Sequence, residues 1–200
     1  MPARSNGGDD GRAFWTTLAL GALLIPASTL IAGAVPIDLT ERMGARLEAI
    51  AIGVVATAPP LALLVWIMKT RWAPISAFRQ SQIEFFGDIG FAFTRGRIVL
   101  LATVAGIGEE LLFRGVFQTA AEQHLPLAAA IILPNLLFGA LHARSMIYAL
   151  AAGCVGAYLG VVFWLSGSLV AVMIAHALYD LIALEWTRRV LERKAIPANV

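Results

Sequence analysis

The sequence predicts an all-α, polytopic membrane protein with six transmembrane helices. Three observations support this: a mean hydropathy of +0.78, a hydrophobic content of 59% and a charged content of only 14%. Soluble domains carry about 25% charged residues. A chain so poor in charge, with several apolar runs of roughly 20 residues, favours repeated crossing of a bilayer.

Cysteine content and net charge exclude several other classes. The one cysteine, Cys154, lies in an apolar run, so neither an intramolecular disulfide nor a zinc-thiolate cluster is expected. The net charge is +2 and the basic residues flank the apolar runs. This distribution is typical of contact with membrane lipids and not with nucleic acid.

The N-terminal half divides into a tail, two spans and a basic segment. Residues 1–12 are polar and Gly-rich and are expected to form a flexible cytoplasmic tail. Residues 13–97 are predicted to contain two transmembrane helices, 13–35 and 47–68, followed by a basic interfacial loop. Pro26 and the pair Pro59-Pro60 fall inside these spans, where kinks are expected.

The C-terminal half contains the other four predicted spans and a basic cytoplasmic tail, 188–200. The spans are 98–123, 127–143, 146–165 and 168–186. The basic residues predict the orientation. Twelve of the fifteen Lys and Arg residues fall on the side of the termini, whereas only Arg42 and Arg46 fall opposite. By the positive-inside rule, both termini of this multi-pass protein are expected in the cytoplasm, at the cell (inner) membrane.

Three charged residues interrupt the third span: Glu109, Glu110 and Arg114. A charge at a helix centre costs roughly 2.5–3.5 kcal/mol, so their presence predicts a purpose. Glu110 and Arg114 are four residues apart in the favourable order for a helical ion pair, and Glu109 points about 100° away. The spacing leaves two readings open. Glu109 either binds another helix or is a free catalytic acid.

Other predicted spans add His142, His176 and Asp180. His176 and Asp180 are four residues apart and share a helix face. Alone, His142 is consistent with an interfacial residue, and the His176–Asp180 pair with a structural hydrogen bond. Together with Glu109, two imidazoles and two carboxylates make a set suited to hydrolysis. Asn135, seven residues before His142, is a candidate oxyanion donor or a supporting residue that stabilises the break at Pro134.

The three motifs Glu109-Glu110-x-x-x-Arg114, Phe138-x-x-x-His142 and His176-x-x-x-Asp180 occur in order on successive predicted spans. They resemble the signature of the CPBP family of intramembrane proteases, which includes type II CAAX prenyl endopeptidases and bacterial Abi-like proteins. The resemblance covers residues 98–187 and implies a four-helix catalytic core there.

The resemblance also implies roles for the motif residues. Glu109 would be the water-activating base, assisted by His142. His176 and Asp180 would support the site and stabilise the oxyanion, with Asp180 standing where the family often has Asn. Glu110 and Arg114 complete the first motif as structural residues. The expected substrate is a peptide or membrane protein, lipidated or not, cut near the cytoplasmic membrane face.

Three alternatives stay open at this point. A non-catalytic membrane immunity or scaffold protein could keep the same buried polar set for packing. A transporter or proton relay would predict discontinuous repeats in the two halves, which the sequence does not display. Metal-free catalysis is favoured because no HExxH helix is present. In a zinc-dependent version of the protease, the ligands would come from His142, His176, Asp180 and Glu109.

Overall fold

The computed structural model describes residues 7–195, and within this range every regular element is helical, which confirms the all-α prediction. In chain order the α-helices are α1 Gly7–Ala22, α2 Leu24–Ala34, α3 Leu47–Ala56, α4 Ala58–Lys69, α5 Ala73–Gly87, α6 Arg95–Glu110, α7 Thr119–Glu122, α8 Leu127–Leu141, α9 Met146–Ser166 and α10 Leu169–Ala195. A 3-10 turn, Thr40–Arg42, lies between α2 and α3, and a π-helix, Leu111–Gln118, joins α6 to α7.

Four helical segments are long and apolar enough to cross a membrane. They are Asp10–Ala34, Leu47–Lys69, Met146–Ser166 and Leu169–Ala195. Helix α8 is apolar but has only 15 residues. The continuous helix formed by α6, the π-helix and α7 is not among the four, and it carries the three motif charges. The structure is therefore that of a membrane protein, whereas the count of six spans stays a prediction.

The second membrane segment is interrupted between α3 and α4, at Thr57, just before the prolines at 59 and 60. A proline lacks an N–H, so the carbonyl four residues earlier loses its helical donor. For Pro60 that carbonyl belongs to Ala56, and the hydroxyl of Tyr158 donates to it at 3.0 Å. The Thr57 hydroxyl donates to the carbonyl of Gly53 at 2.9 Å. Side chains thus stabilise the break within an apolar surrounding.

Residues 7–12 of the expected flexible tail are helical, because α1 already begins at Gly7. A tertiary contact explains the difference. Asp10 pairs with Arg97 at 2.7 Å and accepts a hydrogen bond from the backbone N–H of Ala92 at 2.6 Å. Residues 1–6 lie outside the described range.

The basic tail predicted over 188–200 is likewise helical up to Ala195, as an extension of α10, and residues 196–200 lie outside the described range. Ion pairs at helical spacing support the extension. Glu185 pairs with Arg188 and with Arg189, both at 2.8 Å. Such pairs stabilise an exposed helix because residues three and four apart face each other.

The predicted basic interfacial loop contains a helix, α5, which buries Phe78 and Ile83. Arg79 of this helix donates to three backbone carbonyls at the end of α4, of which the nearest is that of Ile67 at 2.8 Å. Arg144, after α8, stacks on the ring of Phe85 at 3.5 Å. Helix α5 is therefore bound to both α4 and the segment that follows α8.

Close helix approaches bring the motif residues together. Helix α10 packs against α6 and α3, and α8 packs against α9. At Gly106 a Cβ atom would lie 2.8 Å from Ala177, and at Gly139 it would lie 2.5 Å from the carbonyl oxygen of Ala149. Only glycine allows the backbones to approach this closely. The first approach places the acidic end of α6 beside the middle of α10.

Candidate active site

Glu110 and Arg114 form a fully buried ion pair. Both side chains are 0% exposed, and Nη1 of Arg114 lies 2.9 Å from Oε1 of Glu110. The pair predicted from the i,i+4 spacing is thus present. It stands where α6 passes into the π-helix, a wide helical turn that is rare and occurs frequently at functional sites.

The Arg114 guanidinium also joins two other helices. Its Nη2 donates to the side-chain oxygen of Asn135 on α8 at 3.0 Å and to the backbone carbonyl of Gly156 on α9. The Asn135 amide nitrogen donates to the carbonyl of Ile131 at 2.7 Å. Asn135 is 3% exposed. Its side chain binds Arg114 and does not line the cavity described below, so its observed contacts are those of a supporting residue.

Gln118 extends this network and was not identified from the sequence. Its side chain is fully buried and donates to the carbonyl of Gly160 and to the carboxylate of Glu122, both at 3.0 Å. Gln118 lies four residues after Arg114, and Gly160 lies four residues after Gly156. This matching four-residue spacing is the one sequence feature that points to Gln118. A glutamine near the end of a span is otherwise typical of an interfacial residue, and only the partner helix shows its role.

Glu109 lies close to both imidazoles. Its Oε2 is 4.0 Å from Nε2 of His142 and 3.8 Å from Nε2 of His176. Both distances exceed a direct hydrogen bond. One water between Glu109 and His142 could lie about 2.6–3.2 Å from each. Glu109 is also the less buried of the two motif acids: 21% of its side chain is exposed, against 0% for Glu110.

Hydrogen bonding orients both rings. Nδ1 of His142 lies 2.8 Å from the carbonyl oxygen of Phe138, which only accepts, so Nδ1 carries the proton and Nε2 faces Glu109. Nδ1 of His176 lies 2.7 Å from Oε1 of Glu110, and its Nε2 lies 3.5 Å from Asp180. The ring of His176 is therefore held between a buried carboxylate and the carboxylate one turn along α10.

These four side chains line one cavity of about 410 Å³. Glu109, His142, His176 and Asp180 lie together at its polar end, at one end of α6 and α8 and along α10. The other walls are mostly apolar and come from α1, α4, α5 and α9, including Leu18, Leu63, Leu64, Ile67, Phe78 and Val155. The cavity therefore joins a set of acid–base groups to a surface suited to an apolar ligand.

A zinc site would need His142, His176, Asp180 and Glu109 to converge on one point. Among residues 7–195, no group of three or more His, Cys, Asp or Glu side chains is arranged to hold a metal ion. Zinc requires ligand atoms about 2.0–2.2 Å from a common centre.

An acid, two imidazoles and an apolar cavity inside a helical membrane protein define a candidate membrane-embedded hydrolase. Residues 92–182, which contain all three motifs, match the family described as Rce1-like, type II CAAX prenyl endopeptidase Rce1-like. The match confirms the CPBP resemblance for this part of the chain and indicates a CAAX-protease-like intramembrane endopeptidase. No curated protein and no solved structure matches the chain.

Proposed function

We propose that this protein is a glutamate-type intramembrane endopeptidase that hydrolyses a peptide bond near the cytoplasmic membrane face. The observation that carries the proposal is the position of the Glu109 carboxylate, 4.0 Å from His142 and 3.8 Å from His176 in a largely apolar cavity. The buried Glu110–Arg114 pair contacts His176 through Glu110 and does not line the cavity.

In the proposed reaction, Glu109 takes a proton from a water that His142 orients through its Nε2 atom. The resulting hydroxide attacks the peptide carbonyl carbon, and the carbonyl oxygen gains the negative charge. His176 is doubly protonated in this step: its Nδ1–H is donated to Glu110, and its Nε2–H is donated towards this oxygen. When the intermediate collapses, the C–N bond breaks and the proton passes from Glu109 to the leaving amine.

The proposed topology has six spans with both termini in the cytoplasm of the cell (inner) membrane. Its support is the charge distribution, because twelve Lys and Arg residues fall on one side and only Arg42 and Arg46 on the other. The two spans beyond the four apolar ones would be the short α8 and the charged segment made of α6, the π-helix and α7. Glu110, Arg114, Gln118 and Asn135, which these two segments carry, are buried inside the protein, as expected for polar groups in a membrane span.

The proposed substrate is a peptide or membrane protein that carries an apolar group, such as a lipid chain or a hydrophobic segment. The apolar walls of the cavity support this choice. Burying apolar surface contributes about 25 cal/mol per Å², so the walls can bind a hydrophobic body while the polar end holds the scissile bond.

The test uses purified protein in lipid nanodiscs and fluorogenic peptides offered in pairs, with and without a prenyl group. We expect cleavage by wild type and its loss on Glu109→Gln. The isosteric change Glu48→Gln at an exposed residue is the matched control. His142→Ala and His176→Ala should also abolish cleavage, whereas His124→Ala, at an exposed loop histidine, should not.

Two outcomes would contradict the proposal. Cleavage that survives Glu109→Gln would remove the assigned base. A properly folded wild-type protein that binds the peptides but never cleaves them would favour the non-catalytic immunity or scaffold role.

A further inference from the structure

Tyr148 lies near the start of α9, beside His142, the histidine proposed to orient the attacking water. Its side chain lines the cavity, and its ring centroid lies 5.9 Å from that of His142, with the two planes at 73°. The Ser145 side chain accepts a hydrogen bond from the Tyr148 backbone N–H at 3.2 Å and so caps α9 at this point. The phenol is thus held on a helix terminus at the polar end of the cavity.

The ring of Tyr148 is fixed on two sides. The Arg144 guanidinium lies 4.6 Å above its centroid and 3.5 Å above that of Phe85, so it stacks between the two rings. Arg144 also donates to the side chain of Gln82 on α5. Phe78, also on α5, packs against Tyr148 with centroids 6.1 Å apart. A ring held this way presents its hydroxyl group in a preorganised position.

Peptide hydrolysis needs donors directed at the oxygen that becomes negatively charged. Carboxylates cannot serve, so Glu109 and Asp180 are excluded while ionised. Asn135 is engaged with Arg114 and Ile131. Another side chain of the cavity can supply a second donor beside His176.

Several polar side chains around the cavity are already used in local bonds. Thr17 and Thr187 each donate to the backbone carbonyl four residues earlier. Arg79 donates to carbonyls at the end of α4. Tyr179 also lines the cavity, but it is Tyr148 whose ring contacts His142.

We infer that the hydroxyl group of Tyr148 is a further catalytic donor that stabilises the oxyanion during hydrolysis. This inference rests on the proposed function. As the water oxygen bonds to the carbonyl carbon and Glu109 takes its proton, the charge develops on the carbonyl oxygen. The Tyr148 O–H donates a hydrogen bond to that oxygen and keeps its proton throughout, so the balance of the reaction is unchanged.

The experiment compares Tyr148→Phe with wild type, Glu109→Gln and Tyr158→Phe in nanodiscs. Tyr158 is the matched control because its hydroxyl donates to the Ala56 carbonyl, away from the cavity. Removing one oxyanion donor lowers kcat by about 100- to 1000-fold. We expect that loss for Tyr148→Phe, with KM changed by less than about 3-fold and thermal stability close to wild type. Tyr158→Phe should retain its kcat.

The outcomes separate this inference from the proposed function. If wild type cleaves, Glu109→Gln is inactive and Tyr148→Phe keeps its kcat, the Tyr148 assignment alone fails. It also fails if Tyr179→Phe produces the loss instead. If Glu109→Gln is active or wild type is inactive, the proposed function itself fails. Should Tyr148→Phe not fold, 3-fluorotyrosine at this position keeps the ring and hydroxyl and changes its acidity, and an unchanged kcat would then overturn the inference.

Discussion

Nδ1 of His176 lies 2.7 Å from Oε1 of Glu110, the same carboxylate oxygen that Arg114 contacts at 2.9 Å. Glu110 therefore links the buried arginine of one helix to an imidazole of another. The sequence predicted a structural role for Glu110 and a separate catalytic role for its neighbour Glu109. The structure adds that Glu110 also orients a histidine of the candidate site.

Replacing Glu110 by Gln should destabilise the protein. Arg114 would keep its charge without a carboxylate partner in a fully buried position, and breaking such a pair costs about 3–5 kcal/mol. The expected result is a clear fall in thermal stability in detergent and a reduced yield. Glu109→Gln, at a partly exposed carboxylate, should remain close to wild type in both. An equal fall in the two variants would contradict this division of roles.

Gly160→Ala should weaken the packing of α9. A Cβ atom at this position would lie 2.8 Å from the side-chain oxygen of the buried Gln118. Overpacking of this kind costs about 1–3 kcal/mol. Gly33→Ala is the matched control, because nothing lies within 4 Å of its added Cβ atom. Unfolding in denaturing detergent compares the two variants.

A double-mutant cycle checks the cause of that loss. With Gln118→Ala as background, the obstructing side chain is gone, so Gly160→Ala should cost less than in wild type. An undiminished cost would mean that the clash with Gln118 is not the source.

Exhaustive chelation should leave cleavage unchanged. The proposed reaction uses Glu109 as the base and needs no metal, so removing divalent ions takes away none of its groups. Activity measured before and after chelation, with elemental analysis of the purified protein, decides the question. Stoichiometric zinc together with loss of cleavage, restored by adding zinc, would favour the zinc-dependent alternative.

Cysteine labelling should place the C-terminus in the cytoplasm and the loop of Arg42 and Arg46 on the other side of the membrane. In a Cys154→Ala background, Gly44→Cys introduces a thiol in the loop beside Arg42 and Arg46, and Ala198→Cys introduces one near the C-terminus. A membrane-impermeant maleimide added to intact cells should label the first and not the second. The reverse pattern would contradict the orientation inferred from the basic residues.

Hydropathy sufficed to predict a helical membrane protein. Pro26 and Pro59-Pro60 lie close to two interruptions of membrane helices, whereas the break expected at Pro134 is wrong, because α8 continues through it. The ends were less predictable. Residues 7–12 look like a polar linker, yet Asp10 pairs with Arg97, more than 80 positions away. The π-helix could not be predicted either, because a sequence pattern that fits an α-helix does not reveal one wider turn.

The candidate site was predictable where its chemistry is costly in a membrane. Glu109, Glu110, Arg114 and Asp180 stand out because buried charges are expensive in lipid. Gln118 and Tyr148 are uncharged and common near membrane interfaces, so their type carries no such signal. Their importance depends on partners from other helices, and only tertiary packing identifies those partners.

Two hydrogen bonds from the π-helix Leu111–Gln118 to α9 also fix the relative height of these two helices. Arg114 and Gln118 are four residues apart, and they meet the carbonyls of Gly156 and Gly160, which have the same separation. Sliding α9 by part of a turn would remove the Gly156 carbonyl from the buried Arg114 guanidinium. Sliding it by a full turn, about 5.4 Å, would bring a side chain other than glycine against Arg114 or Gln118. The two bonds thus fix the start of α9, and with it Tyr148, at one height relative to the helix that carries Arg114 and Gln118.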